Sequence, residues 1–271
     1  MIDQKLQDRI NSRLENGYNF KVRAALDKAG TIFKELALYV ILAGVFYSIF
    51  YVLGELLGDL FYKPNQEELE SIMGGSDYNE LIEWYRTEFG KTEFKALYIY
   101  KLLLNGLIAP IGYSVYHMCR KYDLKQNVEI SDIFIMYKNG RLGKLFLATI
   151  LLNIFFMIGF TLCFFPGILV MVMLTFVIPL IIFGNAGVGE SINLSFKLTS
   201  KNFLGFLKLI LALIGVCILG FLACCIGIIA AYPFCFVLIY VIYKEVIGFD
   251  DEQSEIDQIG TDIYKDNPYM K

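Results

Sequence analysis

Histidine is almost missing from this 271-residue chain, which holds one, His117. A single imidazole cannot supply the paired histidines of many zinc hydrolases or of an intramembrane metalloprotease. Charge is scarce too: Asp, Glu, Lys and Arg make up 19% of the residues, against roughly 25% in a soluble chain. Between Leu145 and Gly189 there is no charge at all. A soluble domain has no use for such a run, whereas a bilayer asks for about 20 apolar residues per crossing. As one helix this run would measure roughly 67 Å, more than twice the ~30 Å hydrocarbon core. The chain must therefore turn back, and Pro166-Gly167 is where it can. Cys-x-x-Cys spacing is also absent, and the six cysteines (Cys119, Cys163, Cys217, Cys224, Cys225, Cys235) all lie in or beside apolar stretches. That pattern argues against a disulfide framework and against a tetrahedral zinc site. No cleavable signal peptide is present; the first true span is expected to act as its own signal.

What remains is apolar: 56% hydrophobic residues and a mean hydropathy of +0.55. The expected fold is all-α, a polytopic bundle with spans near 36–57, 96–118, 145–165, 168–183, 203–224 and 227–243. Residues 209–243 carry no charge, and an unbroken helix of ~52 Å there would remove one crossing. Basic connections face the cytoplasm. Segments 1–34, 120–144 and 184–208 carry seven, six and three Lys or Arg, while 62–93 carries eight acids against three bases. Both termini are thus expected in the cytoplasm, with 62–93 and the Pro166 turn outside. The domain plan is 1–34 as cytoplasmic amphipathic helices, 35–247 as the membrane domain, and 248–271 as an acidic, disordered tail.

The basic segments have helical periodicity. Ile2, Leu6, Ile10 and Leu14 form one stripe, Gly17 ends it, and Asn19 is placed to cap a second helix carrying Val22, Ala25, Leu26, Ala29 and Phe33 on one face. Ser131 is placed to cap another helix over 128–144, and Ile192, Phe196, Thr199 and Phe203 share a face in 190–202. Such helices can lie on an anionic leaflet or dock on the protein's own bundle. In the acidic connection, Leu81, Trp84, Tyr85 and Phe89 make a short apolar stripe. No Asp-x-Asp-x-Asp-Gly calcium loop is present there.

Candidate polar positions within or beside the spans are Glu55, Asp59, Lys101, Asn105, Asn153, Glu190 and Ser195. Lys101 and Asn105 sit one turn apart on one helix face, and a lysine at that depth needs an anchor or a partner, for which Glu55 and Asp59 are candidates. Gly54 and Gly58 form a small-x-x-x-small patch suited to helix packing. Glu190 and Ser195 are placed to cap the helix they belong to or to touch lipid phosphate.

The last two apolar pairs match one another. Gly159-Phe160-Thr-Leu-Cys163 followed by Gly167-Ile168 aligns with Gly220-Phe221-Leu-Ala-Cys224 followed by Gly227-Ile228. Each follows an amphipathic segment ending in an aromatic-Lys pair, Tyr137-Lys138 or Phe196-Lys197, and Phe33-Lys34 stands before the first span. The expected architecture is three parallel hairpin repeats, each preceded by an amphipathic inner-face helix. Pro179, the run Glu190-Ser-Ile-Asn-Leu-Ser195-Phe-Lys-Leu198, Asn202, Cys224-x-x-Gly227 and Pro233 resemble the bacterial membrane proteins related to the glycerophosphodiester phosphodiesterase membrane domain and the YciC-like proteins. The resemblance covers about 120–247 and implies a six-helix inner-membrane protein. It does not carry phosphodiester hydrolysis, which belongs to a separate soluble barrel with paired histidines.

No catalytic set is found, so the expectation is a non-enzymatic membrane protein without a cofactor. It would bind lipid or a membrane partner, a second copy included, through its inner-face helices, with no role for nucleic acid. The alternative is a transporter or channel whose polar path runs by Lys101, Asn105 and Asn153.

Overall fold

The computed structural model describes residues 4–74, 78–138, 140–223 and 226–249, and all regular structure among them is helical. The helices are α1 (Gln4–Asn16), α2 (Val22–Phe61), α3 (Gln66–Gly74), α4 (Tyr78–Gly90), α5 (Thr92–Asp123), α6 (Ile135–Lys138), α7 (Leu142–Leu162), α8 (Phe164–Met173), α9 (Val177–Gly184), α10 (Val188–Lys201), α11 (Phe203–Leu222) and α12 (Ile226–Val246). Among the described residues six segments are long and apolar enough to cross a membrane: α2, α5, α7, α8 with α9, α11 and α12. Their number and composition make this a multi-pass membrane protein. Ile2, Asp77, Cys224, Cys225 and the tail from 250 onward lie outside the described residues.

Neighbours in the chain pack side by side: α2 on α5, α7 on α8, α11 on α12, with α12 also against α2 and α5. The Gly54–Gly58 patch is used inside the molecule, Gly54 facing Leu104 and Gly58 facing Leu97 and Tyr100 of α5. Residues 209–243 do not form one helix, since α11 ends at Leu222 and α12 begins at Ile226. At that junction a β-carbon on Gly227 would lie 2.5 Å from the Gly220 carbonyl oxygen, and one on Gly159 would lie 3.0 Å from Cα of Gly167. Both pairs of helices thus meet where neither partner has a side chain.

Two expectations require correction. The basic helix before span 1 and span 1 itself are a single helix, so the boundary at 34/35 is no structural break. Nothing between Val22 and Phe61 interrupts it: proline is absent, and Gly30 and Gly44 are tolerated inside a helix packed by its neighbours. Asn19 does not cap it; Lys21, in an extended conformation, precedes its first residue. Likewise the segment before α7 is a 3₁₀ turn (Ile130–Phe134) plus the short α6, and its cap is Glu129 rather than Ser131. The Asp132 carboxylate accepts from the Glu129 N–H at 2.8 Å and from Lys121 at 2.8 Å. Burial alone would raise the Asp132 pKa, but these two donors hold it below its ordinary value.

The end of the bundle bearing α1, α6 and α10 is its basic end. There α1 lies against α10, with Leu6 and Ile10 buried and Leu6 filling the space beside Gly184. The Tyr18 hydroxyl donates to the Leu198 carbonyl, and the Asn202 amide to the carbonyl of Tyr18. On α10, Ser191, Leu194, Ser195, Leu198 and Thr199 are buried, while Phe196 is exposed. The apolar stripe of α1 is therefore spent on the bundle, whereas α10 buries a different face from the expected one: of Ile192, Phe196, Thr199 and Phe203 only Thr199 is buried, and Phe196 is exposed.

The opposite, acidic end is held by one carboxylate. Glu88 of α4 is buried and accepts from the Tyr62 hydroxyl, just past α2, and from Lys91, just before α5. Those donors depress its pKa. A depressed carboxylate stabilises the fold fully above its unfolded pKa of about 4.3, and that contribution is lost as pH falls through the folded value. Trp84, the chain's only tryptophan, is buried one turn before Glu88. Its emission is expected to shift red between about pH 5 and pH 3, and Glu88→Gln to show the shifted spectrum already at neutral pH. Spectra unchanged in both experiments would remove Glu88 as the fastening of this end.

Candidate functional site

The polar positions on α2, α5 and α7 come together in one cleft of about 390 Å³, open at the side of the bundle. Helical spacing explains the grouping. Tyr47, Tyr51 and Glu55 recur every four residues on α2, Lys101 and Asn105 do so on α5, and Asn153, Met157 and Phe160 follow on α7. Lys101 Nζ lies 2.6 Å from Glu55 Oε2, with side chains 37% and 28% exposed. Asp59 stands exposed one turn further along α2, and it is Glu55 that Lys101 meets. The Tyr51 hydroxyl hydrogen-bonds Glu55. Deeper in, the Asn153 amide donates to Asn105 Oδ1 at 3.5 Å and to the Thr149 carbonyl at 2.8 Å, while Tyr47 bridges Asn105 and Tyr232.

Depth follows from helix length. The 21 residues of α7 measure about 31 Å, close to the hydrocarbon thickness. Asn153 is nine residues from its acidic-end terminus, or ~13 Å, and Lys101 lies one turn of α5, ~5 Å, closer to that boundary. The cleft thus has charge on its shallow side, facing amides below, and apolar walls from Leu102, Phe156, Met157 and Phe160. Beneath it Tyr113 and Thr149 share a buried hydrogen bond of 3.0 Å. Tyr116, Phe176, Phe206 and Tyr240 are buried between there and the basic end.

Glu190 and Ser195 are elsewhere. Glu190 is exposed and accepts from the Gly187 N–H at 3.2 Å, which caps α10 as its position in the chain suggests. Ser195 has a different task. The fourth span is broken between Met173 and Val177, where Pro179 can neither donate to the carbonyl four residues back nor fit beside it. Ser195 Oγ, fully buried, donates to the Met173 carbonyl at 2.8 Å and accepts from the Phe176 N–H at 3.1 Å. One hydroxyl from α10 therefore satisfies both sides of the break. Pro110 and Pro233, by contrast, sit inside continuous α5 and α12.

At the basic end His117 Nε2 is 4.0 Å from Asp132 Oδ1, and Asp123 accepts from Tyr240 and from Lys244, the latter at 3.0 Å. Lys28, Thr31, Asp123, Lys244 and Glu245 border a second cleft of about 510 Å³ there. Among the described residues no group of three or more His, Cys, Asp or Glu is placed to hold a metal ion. Tyr51, Tyr98, Phe156 and Met157 are cleft residues that no motif announces. Their spacing of three or four residues from Glu55, Lys101 and Asn153 was the only available signal. No protein-family model, curated protein or solved structure matches the chain.

Two measurements probe these arrangements. Ser195→Ala leaves the Phe176 N–H without its partner, at about 1–3 kcal/mol, and the Met173 carbonyl with only the 3.5 Å bond from Thr199, so a drop in thermal unfolding temperature is expected in nanodiscs. A temperature within a degree or so of wild type would mean the break needs no such support. Lys101→Met and Glu55→Gln each strand a charge within the span, whereas the double variant strands none. It should be less destabilised than the sum of the two, by about 1–3 kcal/mol; strict additivity would mean the pair contributes nothing.

Proposed function

We propose that the protein is a non-enzymatic, multi-pass protein of a bacterial cytoplasmic membrane that binds an amphiphilic lipid, holding its polar end in the cleft among α2, α5 and α7. The observation that carries this is the two-part lining. An ion pair and two facing amides occupy one side, and Leu102, Phe156, Met157 and Phe160 occupy the other. A lateral opening suits a ligand that arrives through the bilayer. Lipid contact is thus placed at the side of the spans, since the stripe of α1 is used in the bundle and α10 leaves only Phe196 of its expected stripe exposed.

The six spans are read as three parallel hairpins with both termini in the cytoplasm, as the charge distribution of the connections favours. The corresponding glycine contacts, Gly159 on Gly167 and Gly220 on Gly227, support a repeat relating the second and third hairpins. A through-path for solutes is the weaker reading. Lys101, Asn105 and Asn153 do share one cleft, as such a path would need, but buried aromatic side chains fill the bundle beneath it.

The test is native mass spectrometry of the full chain, purified in mild detergent. Wild type is expected to retain one phospholipid-sized adduct, and Asn105→Leu with Asn153→Leu to lose it at least fivefold while keeping its helical circular dichroism. Equal retention by a folded variant would refute binding in this cleft.

A further inference from the structure

The cleft restricts which polar ends it can hold. Of the side chains lining it, Glu55 and Lys101 alone are ionised at neutral pH, and they are opposite in sign, so its net charge is zero. At the centre of a span a single net charge costs about 3 kcal/mol on insertion scales, and at the shallower depth of Lys101 it costs less but remains unfavourable. A ligand with net charge would leave one such charge uncompensated, whichever of the two residues it paired with. A ligand that is itself neutral leaves none.

The remaining hydrogen-bond capacity narrows the choice. The Lys101 ammonium has three donors, and Glu55 takes one. A carboxylate has about four lone-pair positions, and Lys101 and Tyr51 use two of those on Glu55. Donors and acceptors of full charge therefore stand side by side, 2.6 Å apart, on the shallow wall of the cleft. An uncharged polar head such as a glycerol hydroxyl would meet this pair with hydrogen bonds in which only the protein partner is ionised, without the ion–ion attraction that a phosphate on Lys101 and an ammonium on Glu55 add.

We infer that the cleft selects a zwitterionic phospholipid headgroup, its phosphate on Lys101 and its ammonium on Glu55, with the acyl chains along Phe156, Met157 and Phe160. This rests on the lipid-binding role proposed above and adds the headgroup. The headgroup dipole lies antiparallel to the protein's ion pair, so all four charges are compensated without breaking the Lys101–Glu55 contact. The head is drawn several ångströms below its neighbours in the leaflet, because Lys101 lies inside the hydrocarbon boundary rather than at it.

Full-length protein stripped of lipid in detergent is offered equal amounts of phosphatidylethanolamine, phosphatidylglycerol and diacylglycerol with the same acyl chains, and adducts are counted by native mass spectrometry. Wild type is expected to retain phosphatidylethanolamine at least threefold over either competitor. Glu55→Gln leaves Lys101 positive and should reverse the order in favour of phosphatidylglycerol. The neutral pair Glu55→Gln with Lys101→Gln should still bind lipid but lose discrimination, and it serves if the single variant does not fold. Lipid bound without headgroup preference in wild type, or a phosphatidylethanolamine preference that survives the double substitution, overturns the headgroup assignment and leaves lipid binding intact. Failure of wild type to retain any lipid overturns both.

Discussion

A backbone N–H or carbonyl without a partner is costly in hydrocarbon, and this one constraint shapes the molecule more than any other. It explains why all regular structure in the described residues is helical and why the single broken span is not left to lipid. Pro179 interrupts the fourth span, and α10 answers by bringing a buried hydroxyl to both sides of the gap. Thr175 and Thr199 add bonds to nearby carbonyls of α8 and α10. The far end of the same span is closed in a comparable way. Asn185 takes a left-handed conformation, and Arg141 and Lys144 from the start of α7 donate to the carbonyls of Ile182 and Asn185. Cations at a helix C-terminus also oppose its dipole. The broken fourth span is thereby enclosed by protein along much of its length.

That enclosure explains why amphipathicity was an incomplete guide. On α10 the expected face leaves Phe196 exposed while Leu194 and Leu198 are buried, and the stripe of Leu6 and Ile10 shows that α1 has a side to bury but not whether lipid or protein covers it. Here protein covers it, because α10 must sit close enough to the break to reach Met173 and Phe176. Periodicity located nearly every helix. The uncharged run 145–189 announced the fold-back at Pro166, and the pairing of Lys101 was legible because few anions lie within reach of it. Less visible were features that depend on a missing signal. No breaker separates the basic segment from span 1, and only the structure shows that none was needed for one helix of 40 residues. Ser195 looked like a cap because serine caps helices often; its acceptor lies 22 residues away in sequence, beyond the reach of local pattern.

The pairs of spans are also unequal in use. α7 with α8 and α11 with α12 meet through facing glycines near their junctions. α2 and α5 instead meet through glycines on one side and Leu97, Tyr100 and Leu104 on the other, and α3 and α4 stand between them in the chain. The cleft forms where the first of these pairs adjoins α7. Small residues bring backbones together, whereas larger side chains at the α2–α5 contact accompany the space in which Glu55, Lys101 and the two amides stand.

The unbroken α2 has a mechanical consequence. Its 40 residues measure about 60 Å, so one stiff rod carries Lys28 near one end, Glu55 near the other, and the Lys28–Glu245 contact of 3.8 Å beside its base. A rod without a hinge transmits tilt. Its base meets α12 through Lys28 and Glu245 and its far part meets α5 through Glu55 and Lys101, so one uninterrupted helix joins contacts at both ends of the protein.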